Sequence, residues 1–122
     1  MALIETNGTT SPRGMSLHVG VNHVDTTHYG PITVLKGCIN DALAMTELAG
    51  SQNFEVLATL VEEQATRDAV KAKIAHAAEN LQPGDIFFYT YSGHGSNLRD
   101  MNEDEKGTAE EAKFDETWCL YD

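Results

Sequence analysis

The order of apolar segments along the 122 residues predicts an α/β fold, a parallel sheet with crossover helices. Three observations carry this expectation. Short runs of strand-like character alternate with longer runs whose apolar residues recur at helical spacing. The helical runs are closed by glycine or proline, and the second opens at an N-cap threonine. The order strand, helix, strand, helix, strand, loop, strand fits parallel strands joined across one sheet.

Residues 1–14 are polar, without a basic start followed by an apolar run, so they read as a flexible leader and not as a signal peptide. The domain then occupies residues 15–122. In Ser16-Leu-His-Val-Gly-Val-Asn22, Leu17, Val19 and Val21 alternate with small or polar residues, as in a strand. A loop is expected over 23–36. Gly37-Cys38 opens a helix over 39–49, with Ala42, Met45 and Ala49 on one face and Gly50-Ser51 as its stop. Residues 54–60 form a second strand. Thr66 caps the next helix, in which Val70, Ile74, Ala77, Ala78 and Leu81 recur, and Pro83-Gly84 ends it. The apolar run Ile86-Phe87-Phe88 lies in a buried strand over 85–92. An acidic loop over 96–114 follows, and 117–121 read as a fourth strand.

Four strands and two main helices are few for such a sheet. Trp118 and Leu120 would stand on an open edge unless covered. The sheet is therefore expected to be incomplete in this chain and finished by a second chain or a C-terminal continuation.

The formal net charge is −11. That argues against nucleic acid and anionic membranes as partners and favours a cationic ligand, a metal ion or a basic peptide. No stretch approaches the ~20 apolar residues of a spanning helix. Cys38 and Cys119 are the only cysteines, expected as reduced thiols in a cytoplasmic protein.

Tyr89-Thr-Tyr-Ser-Gly-His-Gly95 carries the most chemistry. A histidine between two glycines stands where a strand gives way to a loop, the place where open α/β sheets keep their ligands. Imidazole titrates near neutral pH and suits a general base. Alone, the motif serves an ordinary turn histidine equally well.

Four stretches in order change that balance. They are Gly20-Val-Asn22, Leu35-Lys-Gly-Cys-Ile-Asn-Asp41, Gly84-Asp-Ile-Phe-Phe-Tyr-Thr-Tyr-Ser-Gly-His-Gly95 and Asp115-Glu-Thr-Trp-Cys-Leu-Tyr-Asp122. As an ordered set over residues 16–122 they resemble the large-subunit region of the caspase-like cysteine proteases, nearest the metacaspases and their bacterial relatives. The resemblance implies a caspase-like sheet and a cysteine endopeptidase. His94 would be its catalytic base and acid, and Gly95 N–H a donor to the oxyanion. It further implies that Asp41, with Cys38 and Ser92, lines the pocket for the residue before the cut. A carboxylate there selects Arg or Lys through charge-assisted hydrogen bonds. Caspases proper hold a substrate aspartate with arginines, and between Asn22 and Asp41 this chain has none.

The family's nucleophilic cysteine follows the next strand in an Asp-x-Cys-His-like motif, which is absent from these residues. The nucleophile is therefore expected outside this chain, and the chain alone is expected to be inert. No cofactor is required for the chemistry. Calcium is expected at most as an activator, with Asp115 as one ligand and its partners elsewhere. Asp100, Asn102, Asp104 and Glu111 match EF-hand ligand positions, but Glu105 stands where such a loop needs glycine, so a solvated acidic loop is the reading. His18, His23 and His28 fit no common zinc spacing.

Two other functions remain open: a non-catalytic, pseudoprotease-like regulatory or peptide-binding module, and a nucleotide-binding domain. The second lacks any glycine-rich phosphate fingerprint.

Overall fold

The computed structural model describes residues 11–99 and 114–122, without the side chains of 97–99 and 114–115. Three parallel strands, β1 (Gly14–Gly20), β2 (Glu55–Val61) and β3 (Ile86–Ser92), form a sheet in the order β2-β1-β3. A short helix α1 (Thr26–Tyr29) follows β1. Helix α2 (Cys38–Ser51) leads into β2, and α3 (Arg67–Asn80) leads into β3.

This order fixes the layers. The chain steps from β1 to β2 in one direction, then crosses back over β1 to reach β3. Crossovers share a right hand, so opposite steps put α2 and α3 on opposite faces. The alternation read in β1 matches. Leu17, Val19 and Val21 join Val70 of α3, Ala65, Cys119 and Leu120 in one buried cluster. Ser16, His18 and Gly20 face α2. A Cβ on Gly20 would lie 2.9 Å from the Cβ of Ala42, so the bare glycine lets the helix start rest on the strand end.

Beneath α2 the contacts are polar. His18 is fully buried, with Nδ1 2.7 Å from Thr90 Oγ1 and Nε2 3.0 Å from Ser16 Oγ. Thr46 on α2 and Thr59 on β2 share a hydrogen bond of 2.6 Å. His18 is thus a satisfied core residue.

Most expected elements stand within a residue or two of their places. Thr66 caps α3, its hydroxyl accepting the Ala69 N–H at 3.2 Å. Helix α2 runs through Gly50-Ser51, and its exit is taken by Asn53 in the left-handed region (φ 66°). Its buried residues are Cys38, Ala42 and Ala49, whereas Met45 is 38 % exposed.

The fourth strand differs from expectation. Instead of a parallel strand over 117–121, β5 (Phe114–Trp118) pairs antiparallel with β4 (Gly95–Arg99), in a separate two-stranded sheet. The opening of the expected acidic loop is thus a strand. Gly95-Ser-Asn-Leu-Arg99 has too few apolar residues to show a period, and a hairpin strand away from the core needs none. Trp118 is 52 % exposed, as expected of an open position, but Leu120 is buried in the main core.

Residues 119–122 lace the strand-end loops together. Cys119 N–H donates to the His94 carbonyl (2.9 Å) and Tyr121 N–H to Ala65 (2.9 Å). Asp25 N–H donates to the Tyr121 carbonyl (2.7 Å), and Arg67 N–H to the Asp122 carboxylate (2.8 Å). Residues 1–10 of the expected leader, and the acidic stretch 100–113, lie outside the described residues. Both cysteines are buried free thiols.

Candidate active site

The carboxyl ends of β1 and β3 meet where the connections diverge to opposite faces, the crevice at which such sheets bind ligands. Asn22 stands just past β1. Gly37, the N-cap of α2, offers no side chain, so the first helical N–H groups need an acceptor from elsewhere. Asn22 supplies it: its Oδ1 accepts the Cys38 N–H at 2.9 Å. Its carbonyl accepts Leu35 N–H (2.8 Å), and its own N–H donates to Glu62 Oε1 (2.6 Å). One residue thereby fixes both the start of α2 and the loop before it.

That start carries Asp41. Ser92, the last residue of β3, donates its hydroxyl to Asp41 Oδ2 at 2.7 Å. The pair borders an open cleft of about 370 Å³, whose floor and wall include Ala42, Met45 and Thr90. Asp41 and Ser92, expected together from sequence, are thus brought into contact. Cys38 is placed otherwise. It is one turn earlier on α2, 6 % exposed, and does not line this cleft.

His94 follows after one glycine. Its Nε2 lies 2.7 Å from the Thr33 carbonyl and must donate to it, because a carbonyl only accepts. The neutral ring then carries its lone pair on Nδ1. The His94 carbonyl accepts from the Tyr91 hydroxyl (2.6 Å) and from Cys119 N–H (2.9 Å). Gly95 heads β4. A Cβ there would lie 3.4 Å from the Thr117 carbonyl oxygen, so local packing does not itself demand glycine.

Asp115 lies on β5, paired in register with Leu98. Among the described residues no group of three His, Cys, Asp or Glu side chains converges as a metal site requires. Nor is any described helix long and apolar enough to cross a membrane.

Cys119 is 3 % exposed, and burial pushes its thiol pKa up. An activated thiolate needs the reverse. On the far rim His23 pairs with Glu62 and, at 3.1 Å, with Glu63, and these contacts raise its pKa, the Glu63 hydrogen bond most.

Sequence reasoning missed three residues of this arrangement: Asn22 as a helix cap, Thr33 as the acceptor for His94, and Tyr91 as a partner of the His94 carbonyl. A capless Gly37 was the one available signal for the first. The other two are contacts between a loop or a strand and a turn, invisible to periodicity.

A family model described as the metacaspase, peptidase C14 domain, matches residues 15–122. Metacaspase-2 of Trypanosoma brucei brucei is 28 % identical over 120 residues, covering 88 % of this chain and 33 % of that protein. Metacaspase-1A of Aspergillus clavatus is 32 % identical over 109 residues, covering 81 % of this chain and 24 % of its own length. The chain thus spans a third or less of these relatives. A crystal structure of a protein from Geobacter sulfurreducens superposes with a TM-score of 0.76 at 42 % identity, covering 91 % of this chain and 40 % of that one.

Proposed function

The chain belongs to the metacaspase family of C14 peptidases, which are cysteine peptidases, and from that premise we propose that it supplies the histidine half of an endopeptidase cutting after Arg or Lys. The observation that carries this reading is the His94 imidazole, with Nε2 tied to the Thr33 carbonyl and Nδ1 left as the basic nitrogen. In the proposed reaction Nδ1 takes the proton of a cysteine thiol, and the thiolate attacks the scissile carbonyl. The same nitrogen then returns the proton to the leaving amine. Gly95 N–H donates to the oxyanion, and its missing side chain lets the substrate backbone approach.

Both described cysteines are buried, which supports a nucleophile from outside these residues, on a continuation or a second chain. Asp41, oriented by Ser92, meets the guanidinium or ammonium of the residue before the cut. Calcium as an activator would need ligands beyond Asp115, and no step of this chemistry depends on it. The proposed setting is the cytoplasm.

The test uses the full-length protein and fluorogenic peptides with Arg, Lys or Asp before the cut. His94→Ala is expected to abolish turnover of the Arg and Lys peptides. Asp41→Ala is expected to raise KM about tenfold or more while leaving some kcat. Full activity in His94→Ala, or a preference for the Asp peptide, would overturn the reading. Binding of the Arg peptide by the parent protein without any turnover would point to a pseudoprotease.

A further inference from the structure

Tyr91 sits two residues before Gly93 and packs against the apolar cluster of the α3 face, next to Ser92, with which it borders the Asp41 cleft. Its ring belongs to the main core and stacks on Trp118 at 6.2 Å. Its hydroxyl lies 2.6 Å from the His94 carbonyl and 2.8 Å from the Cys119 carbonyl. A phenol has one proton to donate, so the two carbonyls share it, with the shorter contact to His94.

Gly93 explains why the contact is so close. A Cβ on Gly93 would lie 2.8 Å from Tyr91 Cζ and 3.2 Å from Cε2. The phenol fills the space a side chain would take. That solution has a cost, since glycine is the residue that leaves a turn least constrained. The imidazole beyond it is held at Nε2 by the Thr33 carbonyl, and on its backbone side the His94 carbonyl accepts the Cys119 N–H at 2.9 Å. The bond from Tyr91 to the same carbonyl, shorter at 2.6 Å, comes from the side chain next to the turn and tightens that backbone hold. Two fixed points define the direction in which Nδ1 faces.

We infer that Tyr91 is a positioning residue for His94, its hydroxyl clasping the turn so that the imidazole leaves the chain in one direction. This rests on the reading of His94 as the general base. Tyr91 touches no reacting atom; it acts through the His94 backbone. Burial pushes the phenol pKa well up, so the hydroxyl keeps its proton and remains a donor throughout the range in which a histidine base works.

The experiment compares three variants of the full-length protein on an Arg-containing fluorogenic peptide. Tyr91→Phe keeps the ring and its stacking and removes only the clasp. It is expected to lower kcat about ten- to hundredfold, the scale of a misplaced catalytic group, with KM within about twofold. The limb of the kcat–pH profile that reports the base is expected to move as well. Trp118→Leu disturbs the same packing without touching the hydroxyl and is expected to keep kcat within about twofold. A Tyr91→Phe enzyme with kcat and pH profile like the parent overturns the inference. So does a Trp118→Leu enzyme that loses as much kcat, because the effect would then be one of packing. His94→Ala separates the two levels: if it retains turnover, the reading of the base fails, whatever Tyr91 does.

Discussion

The two faces of the central sheet are made of unlike material. Toward α3, Leu17, Val19, Val21, Val70 and Leu120 form an apolar cluster, at whose edge Tyr91 turns its hydroxyl to two carbonyls and Tyr89 buries a hydroxyl without a partner among the described residues. Toward α2, Ser16, His18, Thr46, Thr59 and Thr90 form a layer in which the polar atoms must find one another. The first face resembles any α/β core. The second continues, at its carboxyl end, into the Asp41–Ser92 pair and the cleft. A polar layer that is already hydrogen-bonded can open onto a polar site without an apolar boundary between them. The cleft thus opens from the satisfied polar face, while the other face holds the main apolar cluster.

The largest effect should come from damaging the apolar face. Leu17→Ala removes a fully buried side chain and should cost about 2–5 kcal/mol in urea unfolding. An effect below ~1 kcal/mol would mean that this face is not the main support.

A smaller effect is expected where the polar face reaches the cleft. Asn22→Ala removes the side-chain acceptor of the Cys38 N–H at the start of α2 and should cost about 1 kcal/mol, read in the same unfolding assay. In the full-length protein it should also raise KM for an Arg peptide, because Asp41 sits on that first turn. A loss of stability without any change in KM would separate the cap from the cleft.

The smallest effects separate two histidines by pH. Burial lowers the pKa of His18 below its ordinary 6.5, so the unfolded chain takes up a proton before the folded one does. His18 therefore favours folding above about pH 6.5, and that contribution is lost as pH falls toward its folded value. His23, drawn upward by its glutamates, has the opposite sign. Its contribution is present below its unfolded pKa and fades as pH rises through the raised folded value. Unfolding midpoints followed from pH 5 to 8 in His18→Leu and His23→Leu should show slopes changed in opposite directions. Equal slopes would erase the distinction between the buried and the exposed imidazole.

Much of this was legible in the residues. The alternation of Ser16 to Val21 announced two different faces, and the Ser92-Gly-His-Gly95 motif announced the strand end beside the Asp41 cleft. The resemblance groups Asp41 with Cys38 and Ser92; Asp41 and Ser92 meet at the cleft, and Cys38 does not line it. What escaped depends on the way distant segments meet. Thr33 reaches His94 across 61 positions, and no local pattern encodes that. Strand β4 is too polar to announce itself. Met45 shares the helical spacing of Ala42 and Ala49, but the cleft replaces the neighbour that would have covered it.

The lacing by residues 119–122 bears on the way the site moves. Those residues bond to the turn after β3, the loop after β2 and the loop after β1. None of the three loops can lift without exposing amides or carbonyls held by the same short stretch. The rim of the sheet should therefore breathe as a single cooperative unit, with its amides exchanging together, and the His94 turn opens no more often than the whole rim does.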